Sequence, residues 1–323
     1  MIRIEGMRRV CAAGMLAAAL AASGCGGGGG EKRSAAKPDE LTVLFSSDLL
    51  GKIRSCGCAV EDMGGVGRRA TYTDRARASV RNLIAVDAGD IMTPDLSFSK
   101  AEAELAFDAL NVMKLDAVTP GEADFVFGLP FLQMLASRLT MPVVAANLVD
   151  PATGERIFAA YTVRTLAGGL RVGITGVIDE GIKFPTYIDA SGFSVLGAEE
   201  TLRKLLPELE RETDFLILLS HMGLERSTAL AKRLGGFDLV VVGHGKPVLK
   251  KLERQGAAIM LATGGEGQYL GRVDLSLSAS GEIVEGSMRL VPLEDAIEVH
   301  PGVKDLFTQY GLELTEKERD KKR

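Results

Sequence analysis

The 323-residue sequence predicts an α/β fold built around buried sheet, and three observations predict it. From Leu41 onward, apolar and β-branched runs alternate with segments of helical spacing. Two of those runs, 215–220 and 238–242, are almost continuously apolar, as strands covered on both faces are. From 257 to 292 the pattern turns to two-residue alternation, which predicts a second sheet or an antiparallel extension.

The elements follow in order. Strands are expected at 41–47 and 82–86, around a helix at 65–80. A helix at 100–114 gathers Ala103, Leu105, Ala106, Ala109, Leu110 and Met113 on one side. A short strand at 116–119, a helix at 131–139 and a strand at 142–146 come next. Strands at 158–166 and 170–178 flank the turn signal Gly168-Gly169. Helices at 202–212 and 226–234 precede the two apolar strands or lie between them. Strands at 269–276 and 282–290 and a helix at 303–312 complete the body. Residues 41–313 therefore read as one domain, and 314–323 as a charged tail, solvated or frayed.

Composition excludes several classes. With 46% hydrophobic and 25% charged residues, the chain can bury a substantial core. Its net charge of −5 gives no basic field for nucleic acid. Without Trp, and with 12 Phe and 5 Tyr, it is a poor base-stacking platform. No repeat of 20–50 residues is visible, which argues against solenoids and propellers.

Residues 1–24 read as a lipoprotein signal peptide. Arg3, Arg8 and Arg9 precede a short Ala-rich apolar stretch, and small residues precede Cys25. The stretch is too short for a comfortable membrane-spanning helix. Ala22-Ser23-Gly24-Cys25 resembles the lipobox of bacterial lipoproteins, with Ala22 where Leu is usual. The resemblance implies cleavage before Cys25 and lipid on that residue, anchoring the protein to a bacterial envelope membrane on the periplasmic side. The alternative is an ordinary cleaved signal with a chance cysteine. Residues 25–40, with Gly26 to Gly30 and Pro38, read as a flexible tether. Of four cysteines, Cys11 leaves with the leader and Cys25 takes lipid. Cys56-Gly57-Cys58 remains, in a compartment that permits disulfides.

Chemistry-bearing residues cluster after the apolar runs: Asp48, Asp87 and Asp90, Glu122, His221, and His244. In open α/β sheets ligands bind beyond the carboxyl ends of the strands. Carboxylate oxygen with imidazole nitrogen suits zinc, manganese or iron. Two of the three histidines stand at such ends, and the third, His300, reads as surface. A single Asp there is more often a turn or a cap; five strand ends together are a stronger signal.

These residues carry a resemblance. Ser47-Asp48-Leu49-Leu50-Gly51, Gly64-Gly65-Val66-Gly67-Arg68, Asp87-Ala88-Gly89-Asp90, Gly121-Glu122-Ala123-Asp124-Phe125, Ser220-His221-Met222-Gly223 and Gly243-His244-Gly245-Lys246 follow one another in sequence. In that order they resemble the motifs of 5′-nucleotidase-type metallophosphoesterases, of the calcineurin-like superfamily. Residues 264–274 resemble the closing glycine-rich segment. The resemblance implies a four-layer α/β/β/α sandwich, without the separate C-terminal substrate domain of the full-length enzymes. It implies one or two divalent metals, a small phosphorylated, nucleotide-like substrate, and metal-assisted attack of water on phosphorus.

The sequence departs from the family at marked positions. The first metal site would comprise Asp48, Leu50, Asp90 and Lys246, and two of those cannot ligate. The second would comprise Asp90, Glu122, His221 and His244, a complete set with Glu in place of Asn. Ala123 stands where the family has its catalytic histidine, and Val126 where it has the supporting Asp. One repair sets Lys246 beside Asp48, its charge standing for the first metal, so that Asp90 and Lys246 carry the reaction. Another brings the Cys56 and Cys58 thiolates into a rebuilt metal site. The pair reads equally as a disulfide or redox couple, or as inert thiols. Cys-Gly-Cys ahead of Gly-Gly-x-x-Arg also resembles a branch of exported 5′-nucleotidase-like proteins, some containing selenocysteine.

Other residues have local readings. Gly64, Gly65 and Gly67 read as a helix-opening turn, and Arg68 and Arg69 as a helix surface or ion pairs. Asp87 reads as bonded to the site rather than ligating metal, Asp179 and Glu180 as a loop pair, Met222 as packing and Tyr269 as core. Two functions compete: hydrolysis of a phosphate ester, or thiol-redox or ligand-binding work by the cysteine pair on the same fold.

Overall fold

The computed structural model describes residues 2–3, 39–58, 61–95, 97–184, 188, 190–278 and 280–319. Cys25 and the tether through Pro38 lie outside the described residues, as does the leader apart from its two-residue strand, while Asp39 and Glu40, expected in the tether, are strand. In chain order the elements begin with β1 (Ile2–Arg3), β2 (Asp39–Ser46), α1 (Val66–Ser79), β3 (Leu83–Asp87), α2 (Lys100–Met113) and β4 (Ala117–Val118). A 3₁₀ turn at Glu122–Phe125 leads to α3 (Leu129–Ser137), β5 (Leu148–Val149), β6 (Tyr161–Thr165), β7 (Arg171–Ile178) and β8 (Ser194–Val195). Then come α4 (Ala198–Glu212), β9 (Phe215–His221), α5 (Gly223–Leu234), β10 (Leu239–Gly243), β11 (Glu253–Gln255) and β12 (Ala258–Leu261). β13 (Tyr269–Leu277), β14 (Ile283–Pro292), α6 (Pro301–Gln309) and α7 (Glu316–Arg319) close the described chain.

Two six-stranded sheets carry the fold, in the orders β1-β14-β13-β2-β3-β4 and β11-β12-β10-β9-β7-β6. In the first, β2, β3 and β4 are parallel, β13 runs antiparallel to β2, and β14 antiparallel to β13. In the second, β7, β9, β10 and β12 are parallel, with antiparallel β6 and β11 at its edges.

Side-chain alternation builds the layers. Leu41, Val43 and Phe45 of β2 face inward and share one core with Phe215, Ile217 and Leu219 of β9. Leu44 points the other way, into a core with α1, α2, α3 and α6. Leu216 and Leu218 point the other way from β9, under α4 and α5. Helices, sheet, sheet and helices thus stack as four layers. Burial on both faces is why the run at 215–220 is continuously apolar. Among the described residues, no helix is long and apolar enough to cross a membrane.

Three expectations change. The strand expected at 142–146 is reduced to isolated bridges at Val143 and Val144. Here the chain passes between the sheets: Val144 N–H bonds to Val118, but Ala146 N–H bonds to Gly176. Neither sheet can extend a ladder along it. The charged tail is not wholly solvated: α7 lies against the body, and Glu318 is 3% exposed. Its carboxylate accepts from the N–H groups of Ser55 and Thr315. Tyr269, expected in the core, is 37% exposed at the start of β13.

The arginine-rich α1 is anchored by buried ion pairs. Arg68 donates to the Asp62 carboxylate and to the carbonyls of Asp62 and Leu293. Arg69 donates to Asp87 at 2.9 Å. Removing one member of such a pair leaves a buried charge without its partner. Arg68→Ala is expected to destabilise the protein by about 3–5 kcal/mol in urea unfolding. Arg75→Ala, on the exposed side of the same helix, should stay within about 0.5 kcal/mol of the parent.

Candidate metal centre

The parallel strands end at one edge of the sandwich, and their following loops interlock there. Asp48 N–H bonds to the Gly89 carbonyl, Leu50 N–H to Asp90, and Glu266 N–H to Asp48. These bonds hold an unusual backbone. Asp48, Leu50, Asp90, His244, Lys246 and Glu266 all have φ between 51° and 70°. Among the described non-glycine residues, the remaining positive φ belongs to Lys114, the C-cap of α2. Left-handed side-chain-bearing residues are costly and gather where structure over-determines them.

His221, the last residue of β9, is completely buried. Its Nδ1 lies 2.6 Å from the Ala88 carbonyl. A carbonyl can only accept, so Nδ1 carries the hydrogen and Nε2 faces the other strand ends. The ring fits because its neighbours Gly89, Gly121 and Gly243 lack side chains. A Cβ on Gly121 would come within 2.5 Å of His221 Nε2 and 2.2 Å of Asp90 Oδ1. One on Gly243 would lie 2.7 Å from His221 Nδ1.

Glu122 opens the 3₁₀ turn after β4 and joins the two imidazoles. Its Oε2 is 2.9 Å from His221 Nε2, and its Oε1 is 2.8 Å from His244 Nδ1. Asp90 Oδ2 lies 3.5 Å from His221 Nε2, while Asp90 Oδ1 accepts from Ala123 N–H. Ligand atoms of Glu122, His221 and His244 all lie within 4.8 Å of one another. Phe125 anchors their turn, stacked on Phe193 with ring centroids 4.5 Å apart.

The charges fit a cation. Burial alone would lower the His221 pKa, but Asp90 and Glu122 outweigh it and hold the imidazole well above its usual range. Glu122 is held well below the carboxylate range by its bonds to the two histidines, which overcome burial. Its bond to His244 likewise raises that imidazole. Burial pushes Asp48 up to about 6, against the attraction of His221. Asp48 Oδ2 is buried with no hydrogen-bond partner. An orphaned carboxylate oxygen beside acids and imidazoles is what a divalent cation would satisfy. The oxygen and nitrogen donors suit zinc, manganese or iron.

The remaining expected residues fall as follows. Lys246 pairs with Glu266 at 2.6 Å, half-exposed, rather than with Asp48. Cys56 and Cys58 are joined as a disulfide on a loop bonded to Asp62 and Met63, and the structure does not bring them to the histidine cluster. Asp87 accepts from Ser46, Arg69 and Gly89, supporting the loop as expected. Arg68 and Arg69 are consumed in ion pairs. Asp179 and Glu180 both pair with Arg226, and Met222 is packed in the core.

One residue was given no role by the sequence. Asp124 accepts four backbone N–H groups, from Asp90, Ile91, Met92 and Gly121, and so shapes the loop that presents Asp90. Burial beside Asp90 raises its pKa to about 7, against those bonds. The available signal was an acid inside the apolar stretch Ala123-Asp124-Phe125.

Asp48 gives a signed pH test. Its folded pKa of about 6 exceeds the ordinary 3.8. Between those values the folded state keeps a proton that the unfolded state releases, so stability falls as pH rises and the penalty is complete above about 6. Two units correspond to about 3 kcal/mol. Asn tolerates a left-handed φ. Asp48→Asn should therefore stabilise the chelator-treated protein by about 1–3 kcal/mol near pH 7.5, and by almost nothing near pH 4, in urea unfolding.

No family model matches the chain. A snake venom 5′-nucleotidase of Naja atra is 26% identical over 311 residues, covering 85% of this chain and 57% of its own length. Among solved structures, a Thermus thermophilus sulfate thiohydrolase superposes with a TM-score of 0.74 at 19% identity, over 84% of this chain and 60% of that one. A 5′-nucleotidase precursor of Thermus thermophilus superposes with a TM-score of 0.72 at 22% identity, over 84% and 58%. The chain spans little more than half the length of these proteins. In sequence over most of its length, and in fold, the chain is thus similar to the 5′-nucleotidase-type phosphoesterases that its strand-end motifs resemble.

Proposed function

We propose that this protein is an exported, lipid-anchored, metal-dependent hydrolase of a small, nucleotide-like phosphate ester. The observation that carries the reading is the Glu122–His221–His244 cluster at the strand ends, with Asp90 beside it. The N-terminal sequence supports export and lipid on Cys25, on the periplasmic side of a bacterial envelope membrane. The Cys-Gly-Cys motif supports placement in a divergent exported branch.

Glu122, His221, His244 and Asp90 would hold one divalent ion, and the orphaned Asp48 oxygen would offer a further donor. The ion would polarise a phosphoryl oxygen and acidify water. The Ala88 carbonyl fixes the tautomer that turns His221 Nε2 toward the cluster. Ala123 N–H holds Asp90 Oδ1 and leaves Oδ2 turned to the imidazole. Lys246, two residues after His244 and half-exposed, supplies positive charge at the rim for an incoming phosphate, with Glu266 holding it in place.

Ala123 offers no proton to a leaving group. Loss of a general acid costs about 10²–10⁴ in rate. Esters with acidic leaving groups suffer least, so the ordering of substrates is itself predicted. With Mn²⁺ or Zn²⁺ added, 4-nitrophenyl phosphate should be cleaved faster than adenosine monophosphate by about a hundredfold or more. Chelator should abolish both activities. Glu122→Gln and Asp90→Asn should each lower the rate and the metal affinity by at least about tenfold. Hydrolysis that is indifferent to Asp90, or a protein that binds neither metal in calorimetry, would overturn the reading.

A further inference from the structure

The Cys56–Cys58 disulfide stands apart from the cluster and has a geometry of its own. It closes across one residue, with Cα atoms 5.3 Å apart. Cys56, Gly57 and Cys58 are all exposed. The space at Gly57 is open, since a Cβ there would meet nothing within 4 Å. The turn is nevertheless firmly held. Cys56 N–H donates to the Met63 carbonyl at 2.9 Å, and Ser55 bridges to Gly64 just behind it. Gly57 N–H donates to Asp62 Oδ1 at 2.7 Å, and Arg68 fixes that carboxylate from below. The Lys317 ammonium bonds the Cys58 carbonyl from α7. A rigid turn therefore presents a disulfide to solvent.

Contacts at Cys56 Sγ suit it to two charge states. The Cys58 N–H donates to it at 3.3 Å, a bond that strengthens when sulfur becomes a thiolate. The Glu61 carbonyl at 3.5 Å and Asp62 Oδ1 at 3.9 Å are acceptors for a Cys56 thiol once it is protonated. Cys56 is provided for as a leaving thiolate and then as a thiol.

We propose that Cys56–Cys58 is a thiol–disulfide exchange site that takes electrons from low-molecular-weight thiols, with Cys58 as the sulfur attacked. An incoming thiolate bonds to Cys58 Sγ; the Cys56–Cys58 bond breaks, and its electron pair goes to Cys56 Sγ, which then takes up a proton. A second thiolate attacks the incoming group's sulfur in the mixed disulfide. It forms the external disulfide and releases Cys58 as a thiolate, which is protonated in turn. In sum, two thiols are oxidised to one disulfide, and the protein disulfide is reduced to two thiols. The step needs no metal and is independent of ester hydrolysis.

The test equilibrates the full chain, with chelator present, in reduced and oxidised glutathione. Acid quenching, alkylation and peptide-resolved mass spectrometry then separate Cys56 and Cys58 from Cys11 and Cys25. The dithiol fraction should climb from about one-tenth to about nine-tenths over a roughly hundredfold rise in the squared glutathione to glutathione disulfide ratio, as one two-electron couple does. The transient adduct should sit on Cys58. In Cys56→Ser the neighbouring thiol that can attack Cys58 Sγ and expel the adduct is gone, and the Cys58 adduct should accumulate about tenfold or more over the parent. A pair that stays oxidised in excess dithiothreitol, a pair that is dithiol throughout the series, or glutathione found on Cys56 would each overturn the proposal.

Discussion

The candidate centre depends on one buried imidazole. His221 has its Nδ1–H committed to the Ala88 carbonyl and its ring pressed between Gly121 and Gly243. That bond ties the end of β9 in one sheet to the loop after β3 in the other. It sets the tautomer, and the tautomer sets which nitrogen meets Glu122 and Asp90. The glycines are part of the same constraint, because any side chain at 121 would strike both the imidazole and Asp90. The Ser47 hydroxyl bonds the Val242 carbonyl and ties the sheets a second time near the same edge. The two sheets are thus held in register where the chemistry is, and the inner core of Val43, Phe45, Ile217 and Val241 holds them elsewhere.

Around that imidazole the loops are shaped by backbone bonds rather than by their own propensities. Asp124 uses its carboxylate to organise four N–H groups, three of them from consecutive residues after β3. Asp90 can hold φ 56° because its amide is claimed by Asp124 and its carbonyl by Leu50. Asp87 is paired with Arg69, so the first acid of Asp87-Ala88-Gly89-Asp90 supports the loop. One sequence segment thereby divides its two carboxylates between structure and site.

What could be read from sequence follows from this division. Period and apolarity report burial, so β9, β10 and the strand-end residues Asp48, Asp90, Glu122, His221 and His244 were legible. Partner choice between distant loops has no such period. Lys246 is two residues from His244, but its position on Glu266 depends on how residues 264–267 fold back over Asp48. Arg68 and Arg69 read as a helix surface or ion pairs; the pairs are found, but their partners Asp62 and Asp87 lie on other segments and could not be named from the helix alone. The charged composition of the last residues concealed Glu318, whose burial depends on amides at Ser55 and Thr315. At 142–146 a strand-like composition met a path between two sheets, and the path decided the structure.

The acids and turns at this edge of the sandwich carry an energetic cost. Asp48, Asp90 and Asp124 are all buried near His221, and Asp48 has an oxygen without a partner. Three more site-loop residues beyond Asp48, Leu50 and Asp90 hold left-handed φ values. Each such feature costs on the order of 1–3 kcal/mol, against a total stability of about 5–15 kcal/mol for a domain. Apolar replacement or glycine would relieve most of it. A chain that used this edge only as scaffold would be more stable without the acids and without the strained turns. The strain is concentrated in the loops around Glu122, His221 and His244. That distribution sets the cost of the edge beside the buried imidazole, where oxygen and nitrogen donors could share a cation.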